Sequence, residues 1–185
     1  MFAKLPKWFL YGLGLTALLA VAMLFSVERV MLPEDCQKAD SALGEGDYDL
    51  AVDHYLSCID SGDLPSRTLA AAYHNLASAY SAKGNHYQAI KDYSEAIAFD
   101  PGHAWAYNNR CWSYGVLRRA EEALPDCNEA LRLRPSQPEI LDSRALAYWL
   151  LGEHDKAQRD LELAREINPS RPTWQERFRE FEEMF

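Results

Sequence analysis

From residue 69 onward, apolar positions recur at helical spacing and stop at regular punctuation. Tyr73, Leu76, Ala77 and Tyr80 stand at i, i+3, i+4 and i+7, and Gly84 ends the run. Ala89, Ile90, Tyr93, Ala96 and Ile97 form a second stripe, closed by Asp100-Pro101. Each stripe covers one face of a helix, so the pair predicts two amphipathic helices joined by a tight turn. Ala77 and Ala89 are small enough to let those helices approach closely. The pattern then repeats: Pro101, Pro135 and Pro169 lie 34 residues apart, as do Ala89, Ala123 and Ala157, and Tyr80, Tyr114 and Tyr148. Upstream, Gly46-Asp47-Tyr48-Asp49-Leu50-Ala51 matches Gly84-Asn85-His86-Tyr87-Gln88-Ala89 at a step of 38, which puts four extra residues near 60–68. A lone hairpin leaves its outer apolar surface bare, so the units must stack. They are predicted at about 32–65, 70–103, 104–137 and 138–171, inside a domain spanning 31–185.

After Pro169 the register is lost. Trp174, Phe178, Phe181 and Phe185 fall on one face of a helix over 173–185, with Arg and Glu opposite. An end cap closing the stack is one reading, because the last core must be covered. An amphipathic helix offered to a partner is the other.

This pattern resembles the tetratricopeptide repeat, over residues 32–169. The resemblance implies an all-α solenoid of about four helical hairpins with a capping helix. Asn109-Arg110-Cys111-Trp112, taken with Asp126-Cys127-Asn128-Glu129-Ala130-Leu131, is similar to a bacterial envelope subgroup in which paired cysteines and an export segment recur. Two departures stand out. Ala39 and Ala42 replace larger residues in the first unit, and Pro125, in the second turn of its helix, is expected to kink it.

The first thirty residues are of another kind. Residues 8–27 carry no charge, and twenty residues at about 1.5 Å rise span about 30 Å, a bilayer's hydrocarbon core. Lys4 and Lys7 precede the run and favour a cytoplasmic N-terminus with the remainder exported. The expectation is a signal anchor over 1–30: a single-pass bacterial inner-membrane protein whose repeat domain faces the periplasm. A cleaved signal stays open, since Ala20-Val21-Ala22 fits a small-x-small site and would release a soluble periplasmic protein.

Composition narrows the class. After Glu28 there are only three Val, five Ile and two Thr, too few to furnish the faces of a sheet. The chain's 19 Lys+Arg against 28 Asp+Glu leave it at −9, which excludes a nucleic-acid binder needing a basic stripe.

The four cysteines form two symmetrical pairs. Cys36 and Cys58 are centred on Asp47, and Cys111 and Cys127 on Arg119, at equivalent turn positions. Residues equidistant from the turn of an antiparallel hairpin lie at one height, within a disulfide's reach. With export to an oxidising compartment, disulfides are expected; cysteines serving as small buried residues are the alternative.

Catalytic chemistry is not legible. The five histidines are not expected to converge: His86 and His154 align with each other at turns, and His54 and His103 read as exposed. No zinc, phosphate-loop or nucleophile motif is present, so no catalytic residue, metal or cofactor is predicted. A redox or metal role for Cys111 and Cys127 is the remaining alternative from another class.

What the resemblance implies is binding on a concave face lined by each unit's first helix. The candidate peptide-binding residues there are His74, Trp105, Asn108, Trp112, Leu146 and Trp149, with Glu139 and Asp142 on the rim. Family members that grip chaperone C-termini use a clamp of basic residues and asparagine, and the basic residues are missing here. The expected protein is a membrane-tethered scaffold that binds a peptide segment of another protein. Packing of the three tryptophans between repeats is the competing possibility.

Overall fold

A computed structural model of the chain describes residues 32–62 and 64–185. Their regular elements are all α-helices: α1 Glu34–Glu45, α2 Tyr48–Asp60, α3 Ser66–Ala82, α4 His86–Phe99, α5 Ala104–Val116, α6 Ala120–Leu133, α7 Pro138–Leu150, α8 His154–Ile167 and α9 Trp174–Met184. The expected anchor over 8–27 and its cleavage site lie outside the described residues. Among those described, no helix is long and apolar enough to cross a membrane.

Each unit is an antiparallel pair, α1–α2, α3–α4, α5–α6 and α7–α8, and every helix packs on the next in sequence. The first helices also meet one another, α1 with α3, α3 with α5 and α5 with α7; the second helices make no such cross-unit approach of that extent. Helices that crowd on one side and separate on the other put the first helices on the inner, concave face.

Local chemistry sets the turns. Asp47 and Asn85 cap α2 and α4 by accepting the N–H of Leu50 and of Gln88. The residue just before each second-helix cap is left-handed, and it is Gly46, Gly84 and Gly152 in three units. In the third unit Arg118 takes that backbone at φ 58°, a conformation that typically disfavours a side chain by roughly 1 kcal/mol.

Inside each hairpin one slot repeats. A small residue on the first helix meets a partner on the second: Ala39 and Tyr55, Ala77 and Tyr93, Cys111 and Cys127, Ala145 and Leu161, all buried. In the third unit the slot holds a disulfide, Cys111–Cys127, with Cα atoms 5.5 Å apart. The other disulfide, Cys36–Cys58, sits one turn farther from the bend with Cα atoms 5.0 Å apart.

Buried ion pairs brace the later units. The Arg110 guanidinium donates twice to Asp126, at 2.6 and 2.7 Å, and once to Ser94 Oγ of the previous unit. Thirty-four residues on, Arg144 donates to Asp160 at 2.7 and 2.8 Å and to Asn128 Oδ1. Pro125 leaves α6 continuous from Ala120 to Leu133. Pro125 is exposed, so the one hydrogen bond it forgoes leaves a carbonyl that water can serve.

Candidate functional site

On the inner face, hydrogen-bonded side chains run across the first helices of three units. The Tyr55 hydroxyl donates to Asp40 Oδ1 at 2.5 Å, and Asn75 Nδ2 donates to the same oxygen at 3.2 Å. Asn75 Oδ1 lies 3.1 Å from His74 Nδ1, and Asn109 Nδ2 lies 3.2 Å from His74 Nε2. Asn108 Nδ2 donates to Asn109 Oδ1 at 3.0 Å. The row is consistent when His74 is neutral with its proton on Nδ1, donating to Asn75 and accepting from Asn109.

Its surroundings favour that state. Burial, and then the neighbouring His103, push the His74 pKa down to about 4. The two imidazoles stack with centroids 4.7 Å apart, and the Tyr93 ring lies 5.7 Å from His74. Two of the histidines therefore do converge, against expectation. His103 is no exposed loop residue: it caps α5, accepting the Ala106 N–H at 3.3 Å.

Beside this row opens a concavity of about 480 Å³, lined by Ser78, Ser81, His86, Tyr93, Asn109 and Trp112. The Tyr93 hydroxyl and Ser78 Oγ share a hydrogen bond of 3.2 Å at its wall. The groove positions of α1, α3, α5 and α7 carry no lysine or arginine, whereas Asp40, Glu139 and Asp142 lie along them.

Beyond Trp112 the inner face changes character, because the chain's own C-terminal helix covers it. Trp149 packs against Phe181 of α9 and Phe185 at its C-cap, with centroids 5.8 and 6.3 Å away. The Arg177 guanidinium lies 5.7 Å from the Trp112 ring centroid and 3.6 Å from Asp142. Arg171, in the segment leading to α9, pairs with Asp142 and, at 3.0 Å, with Glu139. Burial raises the Asp142 carboxyl above the usual range, and the two arginines work against that rise.

The residues expected from sequence are thus divided. His74 lies within the polar row. Asn108 is buried, and its Oδ1 has no hydrogen-bond partner. Trp112 stands at the junction, and Trp149 lies under α9. Leu146 is fully buried in a cluster with Phe181, so it is core rather than groove surface. A Cβ placed on Gly115 would come within 2.9 Å of Leu146, which shows how closely α5 and α7 approach there. Trp105 lies apart at the start of α5, with the Arg134 guanidinium 5.8 Å from its ring centroid. Asp40, Asn75, Asn109 and His103 complete the row and were missed. Asn75 and Asn109, 34 residues apart and each following a groove candidate, were the signal available.

Both disulfides are closed and no described cysteine is free, so neither sulfur of Cys111–Cys127 is available as a thiolate nucleophile or metal ligand while the bridge holds. Among the described residues no group of three His, Cys, Asp or Glu is placed to hold a metal ion.

The family profile described as Tetratricopeptide repeat matches residues 70–103 and again 138–171. No curated protein matches the chain in sequence. Several solved structures share the fold. MamA is 19% identical with a TM-score of 0.67, over 91% of this chain and 97% of its own. A tetratricopeptide repeat protein from Parabacteroides merdae is 24% identical with a TM-score of 0.66, over 82% of this chain and 59% of its own. The second such domain of human RPAP3, in complex with the HSP70 peptide SGPTIEEVD, is 24% identical with a TM-score of 0.58, over 63% of this chain and 98% of its own.

Proposed function

This chain is a tetratricopeptide repeat protein, and from that premise we propose that it is a non-catalytic scaffold binding a peptide segment of another protein along its inner face. The observation that carries this reading is the row from Asp40 through Asn75, His74 and Asn109 to Asn108, set beside an open concavity. Asparagine and histidine side chains present donors and acceptors suited to a peptide backbone, and Trp112 offers an apolar face for a side chain. RPAP3 domains of the same fold hold HSP90 and HSP70 peptides ending in EEVD. Here the groove positions of the first helices supply no lysine or arginine to grip such acidic tails, and Asp40 ends the polar row, so the segment recognised is neutral or basic.

We propose further that the domain is tethered to a bacterial inner membrane and works in the periplasm. The charge-free run over 8–27 and the two disulfides support that placement. Its test is protease access to the domain from the periplasmic side of membranes that retain the protein through carbonate extraction. A soluble product beginning near Met23 would favour the cleaved form.

For the binding reading, peptides selected from a displayed library on the purified domain should lose affinity about tenfold or more on Asn109→Ala and on His74→Ala, with the fold intact by circular dichroism. Selected peptides indifferent to both changes would overturn it.

A further inference from the structure

The tetratricopeptide stack ends on α8, and a helix serving only as a cap would need to cover that exposed end. α9 does more. Its backbone approaches only α8 to any extent, and less extensively than neighbouring helices do elsewhere in the stack. Its side chains instead reach across the inner face to two earlier first helices. Arg177 meets Asp142 of α7 and the Trp112 ring of α5, Phe181 is fully buried against Trp149, and Phe185 lies between Trp149 and Arg118. These three residues stand at i, i+4 and i+8, one stripe running from α9 onto its C-cap.

The fit is incomplete. Arg171 Nε and Arg177 Nε are buried with no hydrogen-bond partner, and so is Asn108 Oδ1 one turn before Trp112. Asn108 Oδ1 is the unmet group on the seat itself, while the two unmet guanidinium nitrogens belong to α9 and its lead-in, so a helix that donated to Asn108 and stranded no donor of its own would hold the seat better than α9 does. Arg118 is the other sign. It occupies the left-handed backbone position that glycine holds in three units, and its guanidinium lies 4.9 Å from the Phe185 ring centroid. At that position glycine is the unstrained choice, and the contact with α9 is what Arg118 supplies in its place.

We propose that Trp112, Asp142 and Trp149 form a helix-binding seat, and that α9 is its resident, displaceable occupant. The partner is an amphipathic helix carrying an arginine followed four and eight residues later by aromatic residues. Acidic Asp142 and the face of Trp112 select the arginine, and Trp149 selects the aromatic rings. This deepens the groove-binding reading and rests on it. When the partner is absent α9 closes the C-terminal half of the groove, and when it is present α9 swings out on the segment holding Pro169 and Pro172.

The test uses the full chain and a labelled synthetic peptide of residues 173–185 added in trans. Phe181→Ser removes the buried anchor of α9 and leaves the seat untouched. The peptide should bind this variant at least tenfold more tightly than the wild type, and a peptide carrying Arg177→Glu should lose that gain. Equal binding to both chains overturns the proposal, as does collapse of cooperative melting in Phe181→Ser, which would make α9 a structural cap. Two measurements stand independently of that variant. In the wild type, amide hydrogens over 176–184 should exchange at least a hundredfold faster than those of α7, and equal rates overturn it. Arg118→Gly should speed exchange in α9 without lowering the melting temperature of the stack; unchanged exchange counts against it. A stable wild-type dimer that exchanges α9 between copies overturns it in favour of a second copy as occupant. Library peptides that require His74 and Asn109 but ignore Phe181→Ser would leave the groove reading standing while this one falls.

Discussion

The second and third units place different chemistry on the same backbone. Shifted by 34 residues, Leu76 becomes Arg110, Ala77 becomes Cys111, Ser78 becomes Trp112, and Tyr93 becomes Cys127, while Asp92 and Asp126 stay aspartate. In the second unit the hairpin closes on a tyrosine whose hydroxyl reaches Ser78, and the adjoining groove, walled by Ser78 and Ser81, is open. In the third it closes on a covalent bridge. That bridge needs no hydroxyl, so the groove position is free to hold Trp112 and the surface turns apolar. The conserved backbone and the changed side chains separate what builds a repeat from what it presents. A small residue facing a filler builds it; the neighbouring groove position decides what it can hold.

Four experiments sharpen or break this contrast. The largest effect belongs to the aspartates. Arg110→Ala strands a buried Asp126 and should destabilise the domain by about 3–5 kcal/mol in urea unfolding. An effect below about 1 kcal/mol would mean that the ion pair is not what distinguishes the two units. Next comes the bridge. Replacing Cys111 and Cys127 together by alanine should cost about 3 kcal/mol, as expected for a loop of 16 residues, measured against the oxidised parent. No loss would show that close packing alone closes the slot.

Acid should act on the polar half. The folded pKa of His74 is lowered from 6.5 to about 4, so the unfolded chain takes up the proton first. Stability is unaffected above pH 6.5 and falls as pH drops from 6.5 to about 4, by at most about 3 kcal/mol. His74→Gln should flatten that slope in melts recorded across the range. A parallel slope in the variant would assign the loss to other groups. The smallest effect has the opposite sign to the first. Among the described residues Asp92 has no arginine partner and accepts only from Gln88, and its carboxyl pKa is raised chiefly by burial. A raised carboxylate pKa disfavours the ionised form at neutral pH, so Asp92→Asn should stabilise the fold by up to about 1 kcal/mol. If the same change at Asp126 also stabilised, the contrast would dissolve.

The solenoid was legible because its signals are local: the small residues that let paired helices approach, the turns at Gly46 and Gly84, and the prolines that close the last three units. The cysteine symmetry was legible for the same reason, since distance from a turn fixes height in a hairpin. What escaped depends on where separate units meet. His103 reads as a loop residue because it follows Pro101, yet capping α5 turns its ring onto His74, 29 residues earlier. The stripe of α9 announces a face to be buried, but the surface it finds is chosen by Asp142 and the tryptophans. Leu146 has groove spacing; only the missing side chain at Gly115 lets α7 come close enough to α5 to swallow it.

Both disulfides lie within hairpins and none joins two units, which has a mechanical consequence. Pulled from its ends, the oxidised chain can peel apart between units, where packing and hydrogen bonds, but no covalent link, resist. The 22- and 16-residue spans between the paired cysteines cannot pay out. At about 3.5 Å per extended residue they withhold about 130 Å of contour length, a fixed limit on how far a domain held at one end could be drawn out under load.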